Sequence, residues 1–154
     1  MTAAIRIRRA RPADLDALVA LERAAFTTDH LSRRQYARHL RGTGAVVLAA
    51  AAGPVLSGKA VVFFRRNSDI ARLYSIAVDA TARGSGVGAA LLDAAEHAAS
   101  RRGAKRMRLE VRTDNAAAIR LYESRGYRRF GSHPRFYEDG ADAWRYEKIL
   151  RAAD

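Results

Sequence analysis

The sequence predicts a mixed α/β domain with a strand–helix–strand crossover in the middle of its sheet. Two continuous apolar runs, 45–52 and 55–66, flank the turn-forming pair Gly53-Pro54 and indicate an antiparallel hairpin. The segment 106–112 alternates charged and apolar residues, which is typical of a half-buried strand. Between these regions, small and apolar residues recur at helical spacing from Val87 to Ala98.

The other elements complete the order β-α-α-β-β-β-α-β-α-β-β. They are a strand over 4–8, helices beginning at Pro12 and Ser32, a strand over 70–78, a helix after Asn115, and strands over 127–133 and 142–150. On the first helix, the residues near helical spacing are expected to form the buried face; they are Leu15, Leu18, Val19 and Phe26. No composition break divides the chain, so we expect one domain over 1–154.

Length and composition exclude several classes of protein. No run reaches about 18 apolar residues, which argues against a membrane span. The first residues lack a hydrophobic signal region, which predicts a cytoplasmic chain. A monomer or a homodimer is expected. The chain has no cysteine, and its four histidines do not have the close spacing of a metal site, so no bound metal is expected.

The formal net charge of +12 has two interpretations. One is an acidic partner, such as nucleic acid, a ribosome surface or a polyanionic cofactor. The other is that arginine simply occupies solvated faces. The basic residues are spread along the whole chain, which favours the second interpretation, and a nucleic-acid partner is not expected.

The strongest local signal is a glycine-rich turn at 83–88, between the predicted strand 70–78 and the helix after it. Unpaired N–H groups and the helix dipole make such a turn an anion site. A Walker A loop is excluded because no lysine follows Gly88, and the G-x-G-x-G spacing does not fit a dinucleotide fingerprint. A tight turn without a ligand remains the structural alternative.

This turn also fits the pattern [QR]-x-x-G-x-[GA], and further segments extend the match. They are LYSIAVD at 73–79, LEVR at 109–112, NAAAI at 115–119, LYE at 121–123 and GY at 126–127. On these residues the chain resembles the GNAT superfamily of acyl-CoA-dependent N-acetyltransferases, and within it the bacterial ribosomal-protein-alanine N-acetyltransferase branch. The resemblance covers about residues 70 to 130.

The resemblance implies acetyl-CoA as co-substrate. Its pyrophosphate would bind the glycine turn, formed by Arg83, Gly84, Ser85, Gly86, Val87, Gly88 and Ala89. Its pantetheine arm would lie along the strand residues Ile76, Ala77 and Val78, where a backbone N–H would polarise the thioester oxygen. Asn115 would bond the same arm, and capping the following helix is its structural alternative.

The resemblance also assigns the two proton transfers. Glu110 would act as general base, directly or through water, and Tyr122 as general acid toward the leaving thiolate. Each has a structural alternative. Glu110 lies between Arg108 and Arg112 on one strand face and could be their ion-pair partner, and a helical tyrosine such as Tyr122 is ordinarily a core residue.

The acceptor is the least determined part. Tyr137 and Glu138, in a loop that resembles the acceptor side of the branch, are expected to bind the amine. The segment 26–32 departs from the branch because it lacks the tryptophan expected before the serine. Because the branch acetylates protein N-terminal amines, the resemblance still implies a protein or peptide N-terminal α-amine as the acceptor. The alternatives are a small amine, or a basic domain that binds CoA or nucleic acid without catalysis.

Overall fold

The computed structural model describes residues 4–26 and 28–151, and its element order confirms the predicted one. The seven strands are β1 (Arg6–Arg9), β2 (Ala45–Ala52), β3 (Val55–Phe64), β4 (Ile70–Val78), β5 (Arg106–Arg112), β6 (Arg128–His133) and β7 (Ala143–Ile149). The four helices are α1 (Leu15–Ala25), α2 (Arg33–Arg41), α3 (Val87–Arg101) and α4 (Ala116–Ser124). Short 3-10 turns precede α1 and α3. None of these helices is both long and apolar enough to span a bilayer.

All seven strands form one mixed sheet in the order β1-β2-β3-β4-β5-β7-β6. Among the described strands, only β4 and β5 pair in parallel, because α3 carries the chain back across the sheet between them. The other five pairs are antiparallel. The predicted crossover is therefore confirmed, and it joins the two central strands.

The sheet carries a hydrophobic core on each side. On the back, α3 and α4 cover β2 to β7, and the buried side chains include Leu91, Leu92, Met107 and Leu109. On the front, α1 and α2 cover β2 and β3 through Leu18, Val19, Tyr36, Val47 and Val61. The predicted inward residues of β5, namely Met107, Leu109 and Val111, are buried. Because α1 and α2 stop short of β5, the front of the last three strands stays uncovered.

Close helix packing depends on Gly58 in β3. A Cβ atom built at this position would lie 2.9 Å from Leu91 Cδ1 and 3.0 Å from the Ala77 carbonyl oxygen. Contacts this short are rare for Cβ atoms, so a side chain here would force Leu91 and the Ala77 backbone to shift, and glycine lets α3 lie close to β3 and β4. This packing fixes where α3 begins, and therefore where the glycine turn lies.

The central strands separate soon after they meet. β4 and β5 are paired only over 70–72 and 106–108. A β-bulge in β4 lies just beyond, where Ser75 is opposite Val61 and Leu73 is opposite Val62, which leaves Tyr74 as the extra residue. A bulge bends its strand and increases the local twist, so β4 diverges from β5 and a cleft opens between them.

One sequence expectation about the front layer is wrong. Phe26 was expected on the buried face of the first helix, but α1 ends at Ala25 and Phe26 is extended, with φ −128° and ψ 137°. Its N–H donates to the Glu22 carbonyl, which closes the last turn. The physical reason is that the chain must leave the helix here to pass over the cleft, and Phe26 lines that cleft instead.

Candidate active site

A cavity of about 330 Å³ occupies the cleft between β4 and β5. Its walls come from both strands, from α4, from the segment after α1 and from the loop before β7. The lining residues include Glu22, Phe26, Asp29, Arg72, Tyr74, Ser75, Ile76, Glu110, Arg112, Asn115, Tyr122, Phe136 and Tyr137. The separation of the strands therefore brings side chains from the front and the back of the sheet into one space.

Glu110 lies on the β5 wall of this cavity, and its side chain is only 9% exposed. Its ion-pair partner is Arg72 of β4, with 2.6 Å between Arg72 Nη2 and Glu110 Oε1. The expected alternative partners, Arg108 and Arg112, are engaged elsewhere, with Glu147 and Asp139 respectively. That alternative was wrong because cross-strand neighbours, rather than residues two apart on one strand, supply the closest opposite charges.

Tyr122 lies on the α4 wall, opposite the front layer. It is buried, and burial raises the pKa of its phenol well above the ordinary value. Its ring packs edge-on against Tyr127, with 5.8 Å between centroids. The phenol thus combines a core position with access to the cavity, and it stays protonated at neutral pH.

Asn115 stands where α4 begins. Its Oδ1 accepts a hydrogen bond from the Ala118 N–H at 3.2 Å, so the predicted cap is present. The residue also lines the cavity. A cap leaves the two amide N–H donors available, so Asn115 can hold the helix and still donate to a ligand.

Two loops face each other across the mouth of the cavity. Tyr137 lines it, and burial together with the nearby charge of Glu110 raises the pKa of Tyr137 to about 12. Glu138 is exposed and lies outside the lining, but its N–H donates to the Asp29 carboxylate at 3.3 Å. Of the two predicted acceptor residues, the structure therefore brings only Tyr137 into the cavity.

A buried polar network lies beneath the front wall and was missed by sequence reasoning. Glu22 accepts from Lys59 Nζ at 2.7 Å, from the Tyr36 hydroxyl at 2.6 Å and from the Leu31 N–H at 3.0 Å. Lys59 Nζ also donates to Ser75 Oγ at 2.6 Å. Glu22 is 1% exposed and Lys59 is fully buried. Single charged residues at apolar positions of a helix and a strand were the sequence signal for this pair.

The glycine turn lies at the end of β4, beyond the lining of the cavity. Gly84 and Gly86 adopt φ angles of 81° and 85°, and nothing lies within 4 Å of a Cβ built on either. Gly86 is the N-cap of α3, and the first intrahelical acceptor is its carbonyl, bonded by the Ala90 N–H. The amides of Val87, Gly88 and Ala89 therefore precede the first helical hydrogen bond and point out of the helix end.

Two other residues of the turn face different ways. Ser85 donates its hydroxyl to the Ala82 carbonyl, so this side chain folds back on the turn. Arg83 is exposed, and its N–H donates to the Ala80 carbonyl at 3.4 Å. The turn can thus offer backbone donors and one exposed cation to an anion.

The edge of β4 that faces the cleft is the remaining feature. Ile76, Ala77 and Val78 pair with β3 on one side, opposite Ala60, Lys59 and Gly58. On the other side the pairing with β5 ends at Arg72. Within residues 4–26 and 28–151, no strand pairs with this side of 73–78, so its alternate N–H and C=O groups face the cleft.

The comparisons with known proteins agree with this arrangement. The model of the acetyltransferase (GNAT) family matches residues 15–127. An uncharacterised N-acetyltransferase from Methanocaldococcus jannaschii is 31% identical over 140 residues, which is 89% of this chain and 86% of that protein. The crystal structure of the Escherichia coli ribosomal-protein-S18-alanine N-acetyltransferase superposes with a TM-score of 0.84 at 28% identity, covering 98% of this chain and 97% of that one.

Two other relatives have higher sequence identity to this chain, but over shorter segments. The ribosomal protein bS18-alanine N-acetyltransferase of Escherichia coli K12 is 48% identical over 59 residues, which is 38% of this chain and 40% of that protein. An uncharacterised protein of Mycobacterium leprae is 48% identical over 73 residues, which is 47% of this chain and 20% of that protein. The chain thus matches less than half the length of these two relatives. The family model matches most of the length of this chain, and the chain therefore belongs to the acetyltransferase (GNAT) family.

Proposed function

We propose that this chain transfers the acetyl group of acetyl-CoA to the α-amine of a protein or peptide N-terminus. The observation that carries the proposal is that Glu110 and Tyr122 line the same cavity, beside the edge of β4 at 73–78 with which no described strand pairs. A domain that only bound CoA would need the glycine turn and the edge, but neither of these two side chains.

The residues fit acetyl-CoA. Left-handed backbone at Gly84 and Gly86 leaves open space above the N-terminus of α3, where a pyrophosphate would be held by outward N–H groups. The unpaired edge at Ile76, Ala77 and Val78 offers donors and acceptors to the amide groups of a pantetheine arm. Asn115 lines the cavity and can donate to the same arm.

Acetyl-CoA supplies an activated thioester, and the chain supplies the proton transfers. Glu110, which pairs with Arg72, accepts a proton from the acceptor amine, directly or through water. Tyr122, kept protonated by burial, donates its proton to the departing sulfur. A backbone N–H of the Ala77–Val78 region polarises the carbonyl that is attacked. The amine attacks directly, so no nucleophilic side chain is needed.

The shape of the mouth supports the proposed acceptor class. The cavity opens between the segment after α1 and the loop before β7, and Tyr137 provides a hydroxyl on its rim. An opening beside an uncovered sheet face leaves room for a chain that continues beyond the reacting amine. This favours a polypeptide N-terminus, and the family likeness to protein N-terminal acetyltransferases supports it.

An acetyl-CoA turnover screen tests the proposal. The purified chain is incubated with acetyl-CoA and with peptides that differ at their first residue, and free CoA and peptide mass are followed. Peptides blocked at the α-amine but carrying a free lysine are the matched controls. Acetylation at the α-amine alone is expected. Turnover of small amines with none of peptides would overturn the acceptor class, and no turnover with any amine would overturn the activity.

A further inference from the structure

The front of the last three strands forms a flat, charged surface next to the cavity. We define the arginine face by five arginines from four strands, around one glutamate, one phenylalanine and one isoleucine. The members are Arg72 in β4, Arg106 and Arg108 in β5, Glu147, Arg145 and Ile149 in β7, and Arg128 and Phe130 in β6. The register puts Arg72, Arg108, Glu147 and Arg128 in one row across the sheet.

No described helix packs on this surface, as the exposure of its apolar members shows. Ile149 is 71% exposed and Phe130 is 39% exposed. Phe130 is the extra residue of a β-bulge in β6, since Arg129 is opposite Tyr146 and Gly131 is opposite Arg145. The guanidinium carbons of Arg108 and Arg145 lie 4.9 and 4.8 Å from its ring centroid. The bulge therefore presents an aromatic ring between two arginines on an open face.

The positive charge of the arginine face is not balanced from within. Glu147 pairs with Arg106 at 3.2 Å and with Arg108 at 3.0 Å. Among the described residues, Arg128 and Arg145 have no carboxylate within 4.0 Å. Planar guanidinium groups held against an aromatic ring are ordered, so they lose little freedom when they bind a carboxylate.

The arginine face is continuous with the cavity. Arg72 belongs to both, since it lines the cavity and pairs with Glu110. Arg145 lies directly opposite Glu110 in the pairing of β5 with β7. The distance from Glu110 to β6 is two strand spacings, or about 10 Å. An extended chain crosses that distance in about three residues.

We infer that the arginine face binds acidic side chains of the acceptor polypeptide, a few residues after the amine that is acetylated. The inference rests on the proposed function and adds a sequence preference to it. Glutamate or aspartate from about the fourth residue onward meets Arg145 and Arg128, whereas lysine or arginine there is repelled by the same groups. Acceptors with acidic segments therefore bind more tightly than basic ones.

The test compares three peptides that share their first three residues and carry glutamate, glutamine or lysine at the next positions. Steady-state kinetics give kcat and KM, and fluorescence anisotropy of labelled peptides with CoA present gives affinity without turnover. We expect kcat/KM to be about tenfold higher for the glutamate peptide than for the glutamine peptide, through KM, and the difference to shrink as salt is added.

A triple variant, Arg106→Gln with Arg128→Gln and Arg145→Gln, removes charge from the face. We expect it to lose the glutamate preference and to keep its kcat with the glutamine peptide. The matched control is Arg65→Gln with Arg66→Gln and Arg101→Gln, which lowers the net charge equally at exposed positions away from this face. It should retain the preference.

Each other result overturns the inference in a way that separates it from the proposed function. Equal turnover of the three peptides refutes the proposed role of the arginine face and leaves N-terminal acetylation unaffected. A glutamate preference in anisotropy without α-amine turnover supports the face and refutes the activity. A third outcome is that the three peptides bind equally, while the chain binds single-stranded RNA or forms a dimer and the triple variant does not. That result assigns the arginine face to RNA or to a second copy of the chain instead.

Discussion

Arg72 and Glu110 form an ion pair across the point where β4 and β5 separate, with 2.6 Å between Nη2 and Oε1. The pair fixes a nearly buried carboxyl group on the cavity wall, where a proton acceptor is useful. It also ties together the two strands exactly where their backbone pairing ends. One contact thus serves the geometry of the cleft and the chemistry proposed for it.

The first prediction concerns Glu110. Glu110→Gln keeps the shape of the side chain and removes its basicity, so kcat should fall by about 100-fold with little change in the affinity for CoA. The control is Glu96→Gln, since Glu96 is likewise paired, with Lys148 at 2.8 Å, and does not line the cavity. Single-turnover assays and calorimetry measure the two quantities. A Glu110→Gln enzyme with full kcat would exclude the base role.

The second prediction concerns Tyr122. Tyr122→Phe deletes only the hydroxyl, so kcat should fall by about 100-fold while CoA still binds. Tyr127→Phe is the matched control because the Tyr127 hydroxyl donates to Glu96 at 3.0 Å, outside the cavity lining. That control should lose about 1 kcal/mol of stability and keep its kcat. Equal kcat for the two variants would assign Tyr122 to the core alone.

The pH dependence follows from the same phenol. Burial raises the pKa of Tyr122 above its ordinary value of about 10, so the protonated form persists to higher pH than in a free tyrosine. We therefore expect kcat at saturating substrates to show no loss from tyrosine ionisation up to about pH 10. A basic limb with a lower midpoint, present in the unmodified chain and absent in Tyr122→Phe, would contradict this.

The glycine turn can be tested without turnover. Gly86→Glu puts a carboxylate and a strained backbone where the pyrophosphate would bind, so thermal stabilisation by CoA should disappear. Gly103→Glu is the matched control, because Gly103 has a similar φ of 89° and open space around it at the other end of α3. Differential scanning fluorimetry with and without CoA measures both. If CoA still raises the Tm of Gly86→Glu, the pyrophosphate site lies elsewhere.

The buried Lys59–Glu22 pair makes a prediction about stability. Burial lowers the pKa of Lys59, and Glu22, whose Oε1 lies 2.7 Å from Nζ, opposes that shift and favours the ammonium form. Lys59→Met leaves Glu22 as an uncompensated buried charge and should cost about 3–5 kcal/mol in the free energy of unfolding. Adding Glu22→Gln removes that charge and should recover about 1–2 kcal/mol. Urea denaturation measures both, and a double variant less stable than Lys59→Met would refute the account.

Periodicity was sufficient to predict most of the fold. The β5 alternation, the capping residues Ser32 and Asn115, and the glycine at the start of α3 are local signals, and the structure places each as expected. The residues that line the front of the cavity were harder to predict, because the bulge at Tyr74 breaks the strand period of two and turns Ser75 to the same side as Tyr74. A one-residue bulge leaves no composition signal.

Contacts between distant segments were the other part that the sequence could not supply. Arg72 and Glu110 are far apart in the chain, and β4 pairs with β5 for only three residues before the cleft opens. Lys59 and Glu22 meet through the packing of α1 on β3. Such pairs depend on register and on helix placement, which one sequence without its structure does not determine.

An unpaired strand edge is ordinarily a hazard, since it can recruit a strand from another molecule and begin aggregation. The edge of β4 at 73–78 is less open to this risk because Tyr74, Ser75 and Ile76 line the cavity together with residues of β5 and α4. The edge therefore faces a cavity rather than open solvent, and a molecule that fills the cavity covers the edge as well.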